Sequence, residues 1–297
     1  MRSAANALRR RVRSSVGHNA LARRIGIPLY RRAMRFHAFS PPPRVFANSM
    51  PKAGTHLVSA LLGQLPQMRF SGVHADQSQF IAAASESWRL GEIRALLSPI
   101  QDGQFATGHF SAYPALLELL DELNFARLFV VRDLRDVVVS HAHYVTAQRS
   151  HTYFKRYAEK FRSTDERLMA SITGSDADEH APALESIGAR ARAYRPWLDD
   201  PNCLVVRFEA LVGAQGGSTE ELQEATVSAI AQQVGRPLDA ETLLRVCRNV
   251  WSPSSSTFRS GQVGEWRRHF KSEHVRAFKA IAGEELIAFG YERDLDW

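Results

Sequence analysis

The chain has 297 residues, 44% of them hydrophobic, two cysteines and a formal net charge of +7. That is enough apolar sequence to bury a full core, and no stretch approaches the roughly 20 apolar residues that span a bilayer. Cys203 and Cys247 stand too far apart for metal-ligand spacing, so the expectation is a reducing, cytoplasmic setting with no metal.

The charge is uneven. Residues 1–44 hold eleven arginines and no acid, so this stretch carries +11 and the remainder of a +7 chain carries −4. Leu8, Val12 and Val16 recur every four residues among those arginines, which suits a helix lying in an acidic membrane surface. An acid-free, Arg-rich beginning also matches an organelle transit peptide or an unstructured solubilising arm, and these readings stay open. "IGIPLY" is too short and too late for a signal-peptide core. "SPPPR", residues 40–44, closes the arm, because a proline run resists helix and sheet alike. The expected organisation is a basic arm over 1–43 and one domain over 44–297.

Val45-Phe46-Ala47 follows the prolines as a short strand, and Leu57, Leu61, Leu62 and Leu65 then recur at helical spacing. Between them, "SMPKAGT" forms a loop feeding a helix that opens at Thr55. The first turn of a helix has unpaired N–H groups, so Lys52 with the backbone of Ala53, Gly54, Thr55 and His56 makes an anion site. A triphosphate loop reads GxxxxGK[ST]; here Lys52 precedes Gly54, and the magnesium-binding hydroxyl is not in its place.

A strand is expected near 104–108 in "GQFATGHF", ending at His109, and a helix over 113–123 with Pro114 near its start. "ARLFVVR" (126–132) is a continuous apolar run of the kind found in buried parallel strands. Arg132 ends it, Asp133 caps the next helix, and Ser140 lies two turns further on. An arginine at a strand's carboxyl end sits where open α/β sheets bind ligands. His141 and His143 are two apart on that helix and do not face each other, which argues against a shared metal. Residues 151–198 read as mainly helical with a break around "TGSDADEHAP". "NCLVVRFEAL" (202–211) reads as a strand, and helices follow near 219–234, 239–249 and 273–289. In "FRSGQVGEWRRHF" (258–270), two glycines and several basic residues suggest a loop folded over an anion, with the tryptophan and phenylalanines packing. Alternating strands and helices give an α/β fold, a three-layer sandwich on a mostly parallel central sheet.

Together these stretches resemble the PAPS-dependent sulfotransferases, over roughly residues 44–297. The resemblance implies the nucleotide-kinase-like sulfotransferase fold, with 3′-phosphoadenosine 5′-phosphosulfate (PAPS) as co-substrate and no metal. It assigns "PKAGT" to the 5′-phosphosulfate, with Lys52 stabilising the leaving phosphate. Arg132, Ser140 and the stretch Arg259, Ser260 and Gly261 go to the 3′-phosphate. It supports His109, at a strand end, as the general base on an acceptor hydroxyl. "FGYERDLDW" is similar to the family's usual chain end. Two positions depart from the phenol-type cytosolic branch: Leu57 replaces the tryptophan that stacks on adenine, and Thr107 replaces a lysine two residues before the base. They suggest a more distant branch acting on carbohydrate, lipid-linked or small-molecule hydroxyls. Two other classes compete: a kinase-like nucleotide enzyme, and a non-catalytic basic protein that binds membrane or nucleic acid through the arm. The reversed loop opposes the first, and no nucleic-acid partner is expected.

Overall fold

The computed structural model describes residues 43–80, 85–250 and 261–297. The basic arm and its membrane contact, and the expected phosphate ligands Arg259 and Ser260, lie outside the described residues.

Five strands form the sheet: β1 (Arg44–Ser49), β2 (Arg69–Asp76), β3 (Gln104–His109), β4 (Phe125–Val131) and β5 (Cys203–Arg207). All pairings are parallel, in the order β2-β3-β1-β4-β5. The central strand β1 is buried on both faces. Val45 and Ala47 point to one side, with Phe105, Leu128 and Val130. There they meet helices α1 (Thr55–Leu62), α8 (Glu220–Gln233) and α9 (Ala240–Val250). Phe46 points to the other side, where its ring lies 6.1 Å from Phe110, 6.4 Å from Phe125 and 6.4 Å from Trp197.

That second face is covered by α2 (Glu86–Leu97), α3 (Pro114–Glu122), α4 (Leu134–Ala147), α5 (Thr164–Thr173), α6 (Ile187–Tyr194) and α11 (Ser272–Ala288). Burial on both faces explains why "LFVV" reads as an unbroken apolar run instead of alternating. The result is the expected three-layer sandwich. No described helix is long and apolar enough to cross a membrane.

Two local readings change. β5 stops at Arg207, and Phe208–Leu211 makes one helical turn, α7, where the sequence predicts strand to residue 211. The chain turns there because Phe208 packs beside Gly54 and Glu209 accepts the N–H of Asp133 at 2.9 Å. β2 and α2 carry no clear sequence signal. In β2 the left-handed Gly72 (φ 84°) and a register shift between Phe70 and His74 interrupt the period of two.

Candidate active site

β1 and β4 are neighbours whose onward connections run to opposite edges of the sheet, which is the switch point where α/β folds bind ligands. Their carboxyl ends carry the loop at 50–54 and Arg132.

Lys52 sits in the left-handed region at φ 75° and Gly54 at φ 122°, so the chain reverses sharply before α1. The N–H of Ala53 is donated to Met50 O at 3.1 Å, so Ala53 shapes the turn and its N–H is not aimed outward as the sequence reading expects. The first-turn N–H groups offered to an anion therefore begin after Ala53. Thr55 is buried, with its hydroxyl 2.6 Å from that of Ser49. His56, in the first turn of α1, is exposed. The Lys52 ammonium lies 3.5 Å from the centroid of the Tyr144 ring, a contact the sequence reading missed.

A Cβ at Gly54 would stand 2.9 Å from Phe208 Cδ2 and 3.3 Å from Val130 Cγ1. Gly54→Ala is therefore expected to destabilise the fold by about 1–3 kcal/mol through strain and overpacking. Thermal unfolding reads this, and an unchanged Tm would show that the loop does not require its left-handed glycine.

Arg132 is buried and laid over the Phe208 ring at 4.1 Å. Its Nη1 and Nη2 donate to Lys52 O and Gln262 O, each at 3.4 Å. This arginine thus ties the loop after β1 to the C-terminal glycine stretch. The cap of α4 pairs differently. Asp133 accepts from Arg135 N at 2.9 Å and pairs with the Arg135 guanidinium at 2.7 Å.

Asp136 accepts from the N–H groups of Gly264 at 2.8 Å and Trp266 at 2.9 Å, fixing the stretch after Gly261 against α4. The Arg135 guanidinium lies 4.1 Å from the Trp266 ring and 4.4 Å from the Trp297 ring, so the tryptophan packs, as expected. Burial raises the pKa of both Asp136 and Glu209, and Arg132 opposes the rise in each. Ser140 lies on α4 two turns beyond Arg132, half-exposed.

His109 ends β3, and Asp76 is its register partner on β2. Its Nδ1 donates to Ser49 O at 2.7 Å, which fixes the tautomer and directs the Nε2 lone pair away from the sheet. Desolvation lowers its pKa from 6.5, opposed by the Ser49 hydrogen bond and Asp76, with Lys52 adding to the lowering. His109 is therefore a neutral imidazole at pH 7, within electrostatic reach of Lys52. Thr107 is buried and bonded to His74 Nδ1 at 2.9 Å.

The two helix histidines behave differently from His109. His141 is buried against the Ser171 hydroxyl at 3.0 Å, whereas His143 is half-buried with its ring 5.3 Å from that of His269. Among the described residues, no three His, Cys, Asp or Glu side chains come together as a metal site.

Asp136, Tyr144, Phe208 and Glu209 are the positioning residues missed from sequence. Only Asp136 had a signal, as an acid in the first turn of the helix after Arg132.

Residues 42–290 match the family model described as "Sulfotransferase domain". The described fold is similar to a crystal structure of mouse sulfotransferase SULT7A1 complexed with PAP, at 16% identity and TM-score 0.58. The alignment covers 84% of this chain and 86% of that one. No curated protein matches the sequence.

Proposed function

Because the chain belongs to the sulfotransferase family, we infer that it moves a sulfuryl group from PAPS to an acceptor hydroxyl. The observation that supports this best is the meeting at one switch point of the Lys52 loop, Arg132 and a neutral, oriented His109. The fit to the co-substrate rests on the left-handed loop, whose Gly54 leaves no room for a Cβ and whose helix opens toward the strand ends. PAPS supplies a sulfuryl group already activated by a phosphate leaving group.

In this reading Lys52 and the N–H groups from Gly54 to His56 neutralise the charge that grows on that phosphate as the S–O bond breaks. Thr55 adds its hydroxyl to the same phosphate. Arg132, Ser140, Arg259, Ser260 and Gly261 hold the 3′-phosphate, Arg132 with its planar fork. His109 Nε2 takes the acceptor's proton while the acceptor oxygen bonds to sulfur. The leaving phosphate keeps the electron pair of the broken bond, so the proton and charge balance close without a metal.

We assign the acceptor hydroxyl to carbohydrate, lipid-linked or small-molecule alcohols, on the strength of Leu57 and Thr107. The domain spans 44–297 in this reading, cytoplasmic, with the basic arm of 1–43 as its contact with acidic membrane.

The test is thermal stabilisation by adenosine 3′,5′-bisphosphate against ATP–magnesium. Stabilisation by the bisphosphate alone is expected, and a preference for ATP–magnesium would favour kinase-like chemistry. Arg132→Ala should weaken the bisphosphate by about 1.5–3 kcal/mol, the loss of a charge-assisted contact, and adenosine 5′-phosphate far less. Calorimetry on both ligands checks this, and equal losses would remove the 3′-phosphate assignment.

A further inference from the structure

Three buried arginines in this fold have carboxylate partners. Arg127 pairs with Asp121 at 2.5 Å and Asp200 at 3.2 Å. Arg135 pairs with Asp133 and Glu292, both at 2.7 Å, and Arg156 with Asp178 at 2.9 Å. Arg190 on α6, which is half-buried, has none. Its Nη2 donates to Ser171 O at 3.1 Å, its buried Nε finds no acceptor, and no described carboxylate comes within ion-pair range. Glu185, the acid within electrostatic reach, is exposed.

The other groups facing Arg190 are the phenols of Tyr153, Tyr157 and Tyr194, and His141. Burial raises the pKa of all three phenols, that of Tyr157 to about 12, so none of them supplies an anion at neutral pH. A half-buried guanidinium without a carboxylate has donors left for a ligand, and its planar fork matches carboxylate and phosphate oxygens.

Its position links this cation to the reacting corner. The Lys52 ammonium caps Tyr144, whose ring is 5.6 Å from that of His151, which in turn lies 6.3 Å from His141. His141 and Arg190 both bond to Ser171, through its hydroxyl and its carbonyl respectively. On the opposite side, Tyr194 lies within electrostatic reach of both Arg190 and Asp76, the strand neighbour of His109. An aromatic wall therefore runs from the phosphosulfate loop to Arg190.

We propose that Arg190 binds a negative charge on the acceptor, so that the hydroxyl compound this enzyme sulfates is an anion bearing a carboxylate or a phosphate ester. The proposal rests on the sulfuryl-transfer reading above. It makes Arg190 a specificity residue, set apart from the chemistry of bond exchange.

The test uses the full chain and PAPS labelled in its sulfuryl group. A cell extract of metabolites, glycans and lipids is first split on an anion exchanger into retained and unretained pools. Label is expected in the retained pool. Phosphatase treatment of that pool before the reaction separates the two chemistries: lost incorporation marks a phosphate ester, and persistent incorporation a carboxylate.

Arg190→Gln should cut incorporation at least tenfold by raising the apparent KM for the retained pool, with kcat moved much less. Arg190→Lys should recover part of the loss. Adenosine 3′,5′-bisphosphate should still raise the Tm of both variants, as it does for the wild type. Label confined to the unretained pool overturns the inference and leaves sulfuryl transfer standing. A fall in kcat with KM unchanged, or loss of the bisphosphate shift in both variants, overturns it as well by giving Arg190 a purely structural role. No label in either pool, with the bisphosphate bound, defeats the transfer reading and this inference together.

Discussion

Replacing Lys52 by alanine or methionine is expected to lower turnover at saturating PAPS by about 10²-fold or more, while adenosine 3′,5′-bisphosphate still binds within a modest factor. The asymmetry follows from when the charge appears. The bridging oxygen carries little charge in the bound co-substrate and most in the transition state, so an ammonium beside it acts mainly on kcat. Lys52 is prepared for this role by its backbone, since φ 75° is costly for a side-chain-bearing residue. The loop is held in that shape by the Ala53–Met50 turn and by Arg132 on the carbonyl of Lys52 itself.

The contact with Tyr144 adds a second measurement. If the ring at 3.5 Å presents the ammonium, Tyr144→Phe should retain most of the turnover and Tyr144→Ala should lose part of it. Single-turnover rates on the three variants, with bisphosphate binding measured alongside, separate chemistry from nucleotide affinity. Unchanged turnover in Lys52→Met would mark the lysine as a solvated surface residue.

What the sequence made legible follows the physics of each segment. The strand-loop-helix at 45–62 and the strand ending at Arg132 were readable because burial on two faces leaves long apolar runs and the loops between them are short. The helices at 220–233, 240–250 and 272–288 fall within about a residue of expectation, because each has a regular apolar face.

β2 was not readable. A left-handed glycine and a register shift erase its alternation, and only pairing with β3 holds it as a strand. The last four residues of "NCLVVRFEAL" look like strand, but Phe208 and Glu209 turn into α7 to serve the Gly54 loop and the cap of α4. Such contacts are tertiary and have no local period. The same holds for Asp136: an acid near a helix start predicts a favourable dipole interaction, but not that it will hold two backbone N–H groups 128 and 130 residues away in sequence. Arg190 was hidden for the opposite reason. In sequence it is one arginine among several in a charged helical region, and only the folded chain shows that it lacks the carboxylate which Arg127, Arg135 and Arg156 each have.

His109→Ala is expected to lower the rate by about 10²- to 10⁴-fold, the range for loss of a positioned general base. The imidazole is half-buried at a strand end and lies outside the hydrophobic core, so folding and bisphosphate binding should persist. Its Nδ1–H bond to Ser49 O leaves Nε2 as the basic atom, and only the neutral ring can accept a proton. The rate should therefore rise with pH as His109 deprotonates. Because burial lowers its pKa from 6.5, that rise lies on the acid side of an ordinary histidine, lower than the sequence alone suggests.

The cleaner control is His143→Ala, half-buried on the α4 helix and outside the Ser49 contact, which should keep both rate and profile. His141→Ala is a poorer one, since it removes a buried ring bonded to Ser171 and should lower stability as well. Rates for wild type and the three single variants across pH 5–9, at saturating PAPS, decide the assignment. A His109→Ala enzyme with near-normal activity, or one that keeps the acid-side rise, would place the base elsewhere. The sulfuryl-transfer reading would survive that result, because Lys52 and Arg132 serve the nucleotide independently of the acceptor's proton.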